Sequence, residues 1–109
     1  MPSVINGSDN FNTGTPIVSL GVGQTWQNVS GSRAVATTYT NSTGKPIFVA
    51  ISGWASAGNG YVVVDSVTIY SGLGRSTYFN TMPISFIVPS GSSYSCWNID
   101  SISNWAELR

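Results

Sequence analysis

Turn-forming residues recur along this chain about every eight to twelve positions, and the stretches between them are rich in Val, Ile, Thr, Tyr and Phe. No window of roughly ten residues combines helical apolar spacing with good helix formers. That punctuation dictates an all-β chain of short strands.

Residues 1–14, with Asn6-Gly7-Ser8-Asp9-Asn10, read as a linker or polar lead-in loop, and residues 15–109 as one domain. The expected strands are Pro16–Leu20, Gln24–Val29, Ala34–Thr40, Ile47–Trp54, Tyr61–Tyr70, Ile84–Val88, Tyr94–Asp100 and Ser103–Leu108. Ile47–Trp54 carries apolar residues on both faces, so it is expected at the centre of a sheet or against a second subunit. In Tyr61–Tyr70, the longest expected strand, the odd positions from Val63 to Ile69 are the more apolar face, apart from Asp65. Ala55–Gly60 reads as a turn and Ser71–Pro83 as a long loop. Strands of this number and length predict an antiparallel β-sandwich or jelly roll. With no repeat period, a β-helix is not expected.

Charged residues make up 7% of the 109 positions, four acids and four bases with no net charge. An ordinary soluble domain has about 25%. The polar surface is therefore expected from Ser, Thr, Asn and Gly. So few Lys and Arg do not favour nucleic acid by counterion release, nor an acidic membrane surface. The apolar runs are too short for a membrane-spanning helix, and the N-terminal residues lack the pattern of a signal peptide. Low charge also removes a guard against association, so the chain is expected to have an obligate partner or to cap a larger assembly.

There is no histidine, and Cys96 stands alone. A Ser-His-Asp triad cannot be built, no soft-metal ligand set exists, and no cofactor is expected. Chemistry would fall to a carboxylate pair drawn from Asp9, Asp65, Asp100 and Glu107, and nothing in their spacing brings two together. The chain is not expected to be an enzyme. Cys96 reads as a small core residue.

The stretch Tyr39–Ile47, YTNSTGKPI, contains the glycosylation pattern Asn41-Ser42-Thr43. Asn and Ser start turns, Gly44 supplies positive φ, and Pro46 opens a strand where no donor is needed. The stretch reads as a turn, and this sequon, with those at Asn6 and Asn28, as a product of composition.

The order Gln24-Thr25-Trp26, then Ser32-Arg33-Ala34, then Tyr39-Thr40-Asn41-Ser42-Thr43-Gly44-Lys45-Pro46-Ile47, closing with Asn104-Trp105-Ala106-Glu107-Leu108, resembles the C-terminal domain of tailed-phage and prophage tail fibres. It covers about residues 21–47 and 103–109; the segment Ser52–Tyr94 matches no pattern. The resemblance implies a distal adhesion domain at the tip of a virion fibre, made in the host cytoplasm and often homotrimeric. The implied partner is a bacterial surface polysaccharide or lipopolysaccharide.

Recognition is expected in the loops Trp54–Tyr61 and Ser71–Thr81, outside the matched pattern. Their candidate residues are Trp54, Asn59, Tyr61, Arg75, Tyr78, Phe79 and Asn80, which offer stacking faces, amides and one cation. Trp26, Trp97 and Trp105 read as packing residues, and Arg33 as a structural partner of Asp65, Asp100 or Glu107. Two classes of function remain: a receptor-binding fibre tip, or a trimerising cap or virion decoration protein with no ligand of its own.

Overall fold

The computed structural model describes residues 20–55, 58–74 and 83–109. Within them the chain is all-β, in two four-stranded antiparallel sheets. The strands are β1 (Trp26–Asn28), β2 (Tyr39–Thr40), β3 (Ile47–Trp54), β4 (Gly60–Val64), β5 (Val67–Leu73), β6 (Ile84–Val88), β7 (Ser93–Trp97) and β8 (Ser101–Leu108). The first sheet has the order β1-β8-β3-β6 and the second β2-β7-β4-β5.

Both sheets contribute to one core. β3 alternates buried and half-buried residues along its length, and Ile47, Val49 and Ile51 point inward. They share the core with Val62 and Val64 of β4, Phe86 and Val88 of β6, Cys96 of β7 and Trp105 of β8. Aromatic contacts cross between the sheets: Phe86 meets Tyr94 edge to face at 5.5 Å, and Tyr70 meets Phe86 at 6.5 Å. Central β3, flanked by β8 and β6, is the strand expected to be central.

The expected strand Tyr61–Tyr70 is two strands. Asp65 and Ser66 form a two-residue turn, both at positive φ (50° and 68°), which joins β4 to β5 as a tight hairpin of the type I′ kind. Neither residue is Gly or Asn, so the usual sequence signal is missing and the period of two runs on through the turn. The buried face of β4 is also the even one, Val62 and Val64, rather than the odd one. Asp65 is exposed; its amide donates to the Ser93 carbonyl and its carboxylate accepts from the Ser93 amide, each at 2.9 Å.

Other boundaries shift for local reasons. Only Tyr39–Thr40 of the expected Ala34–Thr40 strand pairs, because Ala36 at φ 63° bends the chain first. Gln24–Val29 shortens to β1, and Ser30–Ser32 turns as one 3₁₀ turn. Ser71–Leu73, expected in a loop, extends β5. Residues 16–19 lie outside the described residues, and Leu20 stands in a turn. In β8 a bulge falls between Asn104 and Ile102, opposite Ser52 and Gly53. The extra residue resets the alternation, so Ile102 packs on the core while the Ser103 hydroxyl donates to the Ser52 carbonyl at 3.1 Å. Gly53 is required there: a Cβ would stand 2.1 Å from the Ser101 carbonyl oxygen.

Candidate functional site

Among the described residues, three charged groups are engaged with one another inside the fold. Glu107 is fully buried on β8, and its carboxylate accepts from Arg33 Nε at 3.0 Å and Nη2 at 3.1 Å, from Arg109 Nη1 at 2.7 Å, and from the Tyr94 hydroxyl. Trp105 Nε1 donates to the Tyr94 hydroxyl at 3.2 Å, and the Arg33 guanidinium lies 4.6 Å from the centre of the Tyr39 ring. Burial pushes the Glu107 carboxyl up, but the bonds and charges of Arg33, Tyr94 and Arg109 outweigh it and hold it below the ordinary range. Burial, with the Glu107 charge behind it, pushes the Tyr94 hydroxyl well up, so it stays a donor. Burial alone pushes the Cys96 thiol up to about 12, which makes it an inert core residue. This network builds structure and engages both oxygens of the Glu107 carboxylate.

Asn41 is equally structural. It is buried, and its side-chain nitrogen donates to the carbonyls of Lys45, Val88 and Pro89 at 2.7, 3.0 and 3.2 Å. Its Oδ1 accepts from the amide and hydroxyl of Thr43. The connections β2–β3 and β6–β7, each passing from one sheet to the other, are thereby tied together. A glycan on that nitrogen is incompatible with these bonds, so the turn reading of YTNSTGKPI is the structural one.

The described recognition candidates, Trp54, Asn59 and Tyr61, lie at the opposite end, where β3, β5 and β7 finish and β4 and β8 begin. Trp54 ends β3 opposite Ser101, and its carbonyl accepts from the Asp100 amide at 3.1 Å. Gly74, within the second expected loop and the last described residue before position 75, lies against Ala55, with a Cβ there 2.1 Å from the Ala55 carbonyl oxygen. The described ends of the two loops therefore meet. Arg75, Tyr78, Phe79 and Asn80 lie outside the described residues.

Of the described candidates, Asn59 stands two residues before Tyr61 at the start of β4, and Trp54 ends β3 on the other sheet. By the alternation of their strands, Trp54 faces outward from the first sheet and Tyr61 outward from the second. Tyr61 instead meets Trp97, its direct partner across β4 and β7, in a near-parallel pair with ring centres 6.1 Å apart and planes 8° apart. Trp97 Nε1 donates to the Ser95 hydroxyl at 2.8 Å, which fixes the indole, and Asn98 Nδ2 donates to the Asn59 carbonyl at 3.3 Å. Both rings are half-buried. Further along the same outer surface lies a polar concavity of about 320 Å³, lined by Thr38, Val63, Asp65, Ser66, Ser93 and Ser95 among others. Hydrogen bonds from the Ser92 side chain and the Ser93 amide hold the Asp65 carboxyl below its ordinary range, so it is ionised at neutral pH.

This surface thus joins two aromatic faces to hydroxyls and one carboxylate. Tyr61 and Asn59 are among the recognition residues expected from the sequence, whereas Trp97 is expected in packing, Asp65 only as a carboxylate or a partner of Arg33, and Ser95 and Asn98 not at all. Cross-strand register brings Tyr61 beside Trp97, and no local signal in the sequence carries it. Comparison with family models, with curated proteins and with solved structures finds no match to this chain.

Proposed function

We propose that this domain is a receptor-binding module of a phage tail-fibre tip, which adheres to a neutral saccharide of the bacterial surface. The observation that carries the reading is the Tyr61–Trp97 pair beside a hydroxyl-lined concavity. Sugar rings present apolar C–H faces that pack on aromatic rings, and hydroxyls that bond to Ser, Asn and Asp. With Arg33, Arg109 and Glu107 engaged together, recognition by this surface rests on stacking and neutral hydrogen bonds, plus Asp65. In this reading the sheets close as a jelly-roll-like sandwich, and the module works as a homotrimer whose linked sites turn weak single contacts into avidity.

The test is adsorption of the purified domain to host cells and to their extracted polysaccharide. Tyr61→Ala and Trp97→Ala lose about tenfold or more in binding, as loss of stacking worth about 1.4 kcal/mol or more requires. Trp54→Ala, on the other sheet, binds like the parent. If Tyr61→Ala and Trp97→Ala adsorb like the parent, this face is not the site; if the parent itself binds neither cells nor polysaccharide, the ligand-free cap or decoration protein is the better reading.

A further inference from the structure

The outer face of the first sheet has a relief of its own. Register places Trp26 opposite Leu108, Leu108 opposite Phe48, and Phe48 opposite Ile87, so these four side chains form one row across all four strands. Trp26 and Phe48 touch edge to face over Leu108 with ring centres 6.0 Å apart. Trp26 is 53% exposed and Ile87 51%. This is an apolar ridge turned toward solvent.

Beside the ridge the floor drops. The next outward row is Asn28, Ala106, Ala50 and Ser85, and the one after it holds Asn104 and Ser52. Ala106, Ala50, Ser85, Asn104 and Ser52 of these rows line a concavity of about 340 Å³ that Pro83 also borders. Ridge and groove run parallel across one sheet, about 7–13 Å apart along the strands.

We infer that this face is an interface between copies of this chain, in which the Trp26–Leu108–Phe48–Ile87 ridge of one copy seats in the Ala50–Ala106 groove of another. A two-fold axis lying between ridge and groove, parallel to both, turns each ridge over the other copy's groove. One surface therefore supplies both halves of the fit, as a self-complementary contact requires. Charge argues for the same occupant. None of the outward residues named carries a charge, so a basic or acidic partner finds no complement, whereas a second copy meets an equally uncharged face. Two sheets stacked face to face sit about 10 Å apart with side chains interleaved, which suits large residues over small ones.

The area sets the strength. Four strands span about 19 Å and Phe48 to Trp54 about 20 Å, so two such faces bury roughly 1,000 Å² once side-chain relief is counted. That lies at the lower end of specific interfaces, so association is reversible and depends on concentration. Reciprocal seating gives a pair; one-way seating around a ring gives a trimer. Both need the groove open. The inference does not rest on the saccharide reading, because the Tyr61–Trp97 pair is on the other sheet.

Sedimentation velocity of the purified chain from about 1 to about 100 μM tests it. The parent is expected to pass from monomer mass to two or three times that mass. Ala106→Glu fills the groove with a charge and Ile87→Glu places one on the ridge; both remain monomeric through the range, with far-UV circular dichroism like the parent. Trp97→Ala on the second sheet assembles like the parent whether or not it binds saccharide. A parent that stays monomeric at the highest concentration overturns the inference, as does assembly of Ala106→Glu and Ile87→Glu equal to the parent. Should one variant fail to fold, the other decides alone.

Discussion

Arg33 grips Glu107 with two hydrogen bonds of 3.0 and 3.1 Å across 74 residues of chain. The pair joins the segment after the Ser30–Ser32 turn to the C-terminal strand, and Tyr94 brings in the second sheet. A buried carboxylate is costly unless every lone pair is used, and here two guanidiniums and a hydroxyl use them. Three segments distant in sequence, Ser32-Arg33-Ala34, Tyr39-Thr40-Asn41 and Trp105-Ala106-Glu107, thus meet in or beside one polar cluster. Their physical role in this chain is to hold the two sheets together.

Glu107→Gln keeps the shape but removes the charge, leaving Arg33 and Arg109 without a counter-ion. The expected loss is about 3–5 kcal/mol, measured by denaturant unfolding. The carboxyl is depressed in the folded state, so its stabilisation is fully present above the unfolded value near pH 4.3 and is lost as pH falls through the lower folded value. The parent is therefore expected to lose stability below about pH 4, and Glu107→Gln to show a shallower loss over that window. Equal slopes would contradict the assignment.

Asn41→Ala leaves the carbonyls of Lys45, Val88 and Pro89 short of a donor at the crossing of two connections. Loss of these buried bonds is expected to cost about 2–3 kcal/mol. Made in a glycosylating cell, the folded protein is expected to carry no sugar at Asn41, read by intact mass. A glycan there on folded protein would show that the side chain does not hold these bonds.

Ser66→Gly is expected to stabilise the protein. Ser66 sits at φ 68° in the β4–β5 turn, a region that glycine occupies without a Cβ penalty. The expected gain is about 0.5–1 kcal/mol in thermal or denaturant unfolding, since Asp-Gly is a preferred pair for this hairpin. A loss of stability would mean that the serine has a role beyond the turn.

The all-β class, the strands Ile47–Trp54 and Ile84–Val88, and the central place of the first of these are written in local pattern. Runs of β-branched residues, bounded by Gly, Pro, Asn and Ser, can pack well in no other way. Cys96 in the core also follows from the sequence, because a lone thiol has few other roles. Tertiary structure decided what depends on register and crossing. The period of two passes unbroken through Asp65-Ser66, and the hairpin forms there because Val62 and Val64 must face the core while Asp65 bonds to Ser93. Trp97 looks like any packing tryptophan until β7 aligns it with Tyr61. The ridge from Trp26 to Ile87 draws on four strands, including both ends of the first sheet. Side chains that meet across strands are chosen by hydrogen-bonded pairing of distant segments, and a linear pattern shows each strand's own faces but not which strand will lie beside it.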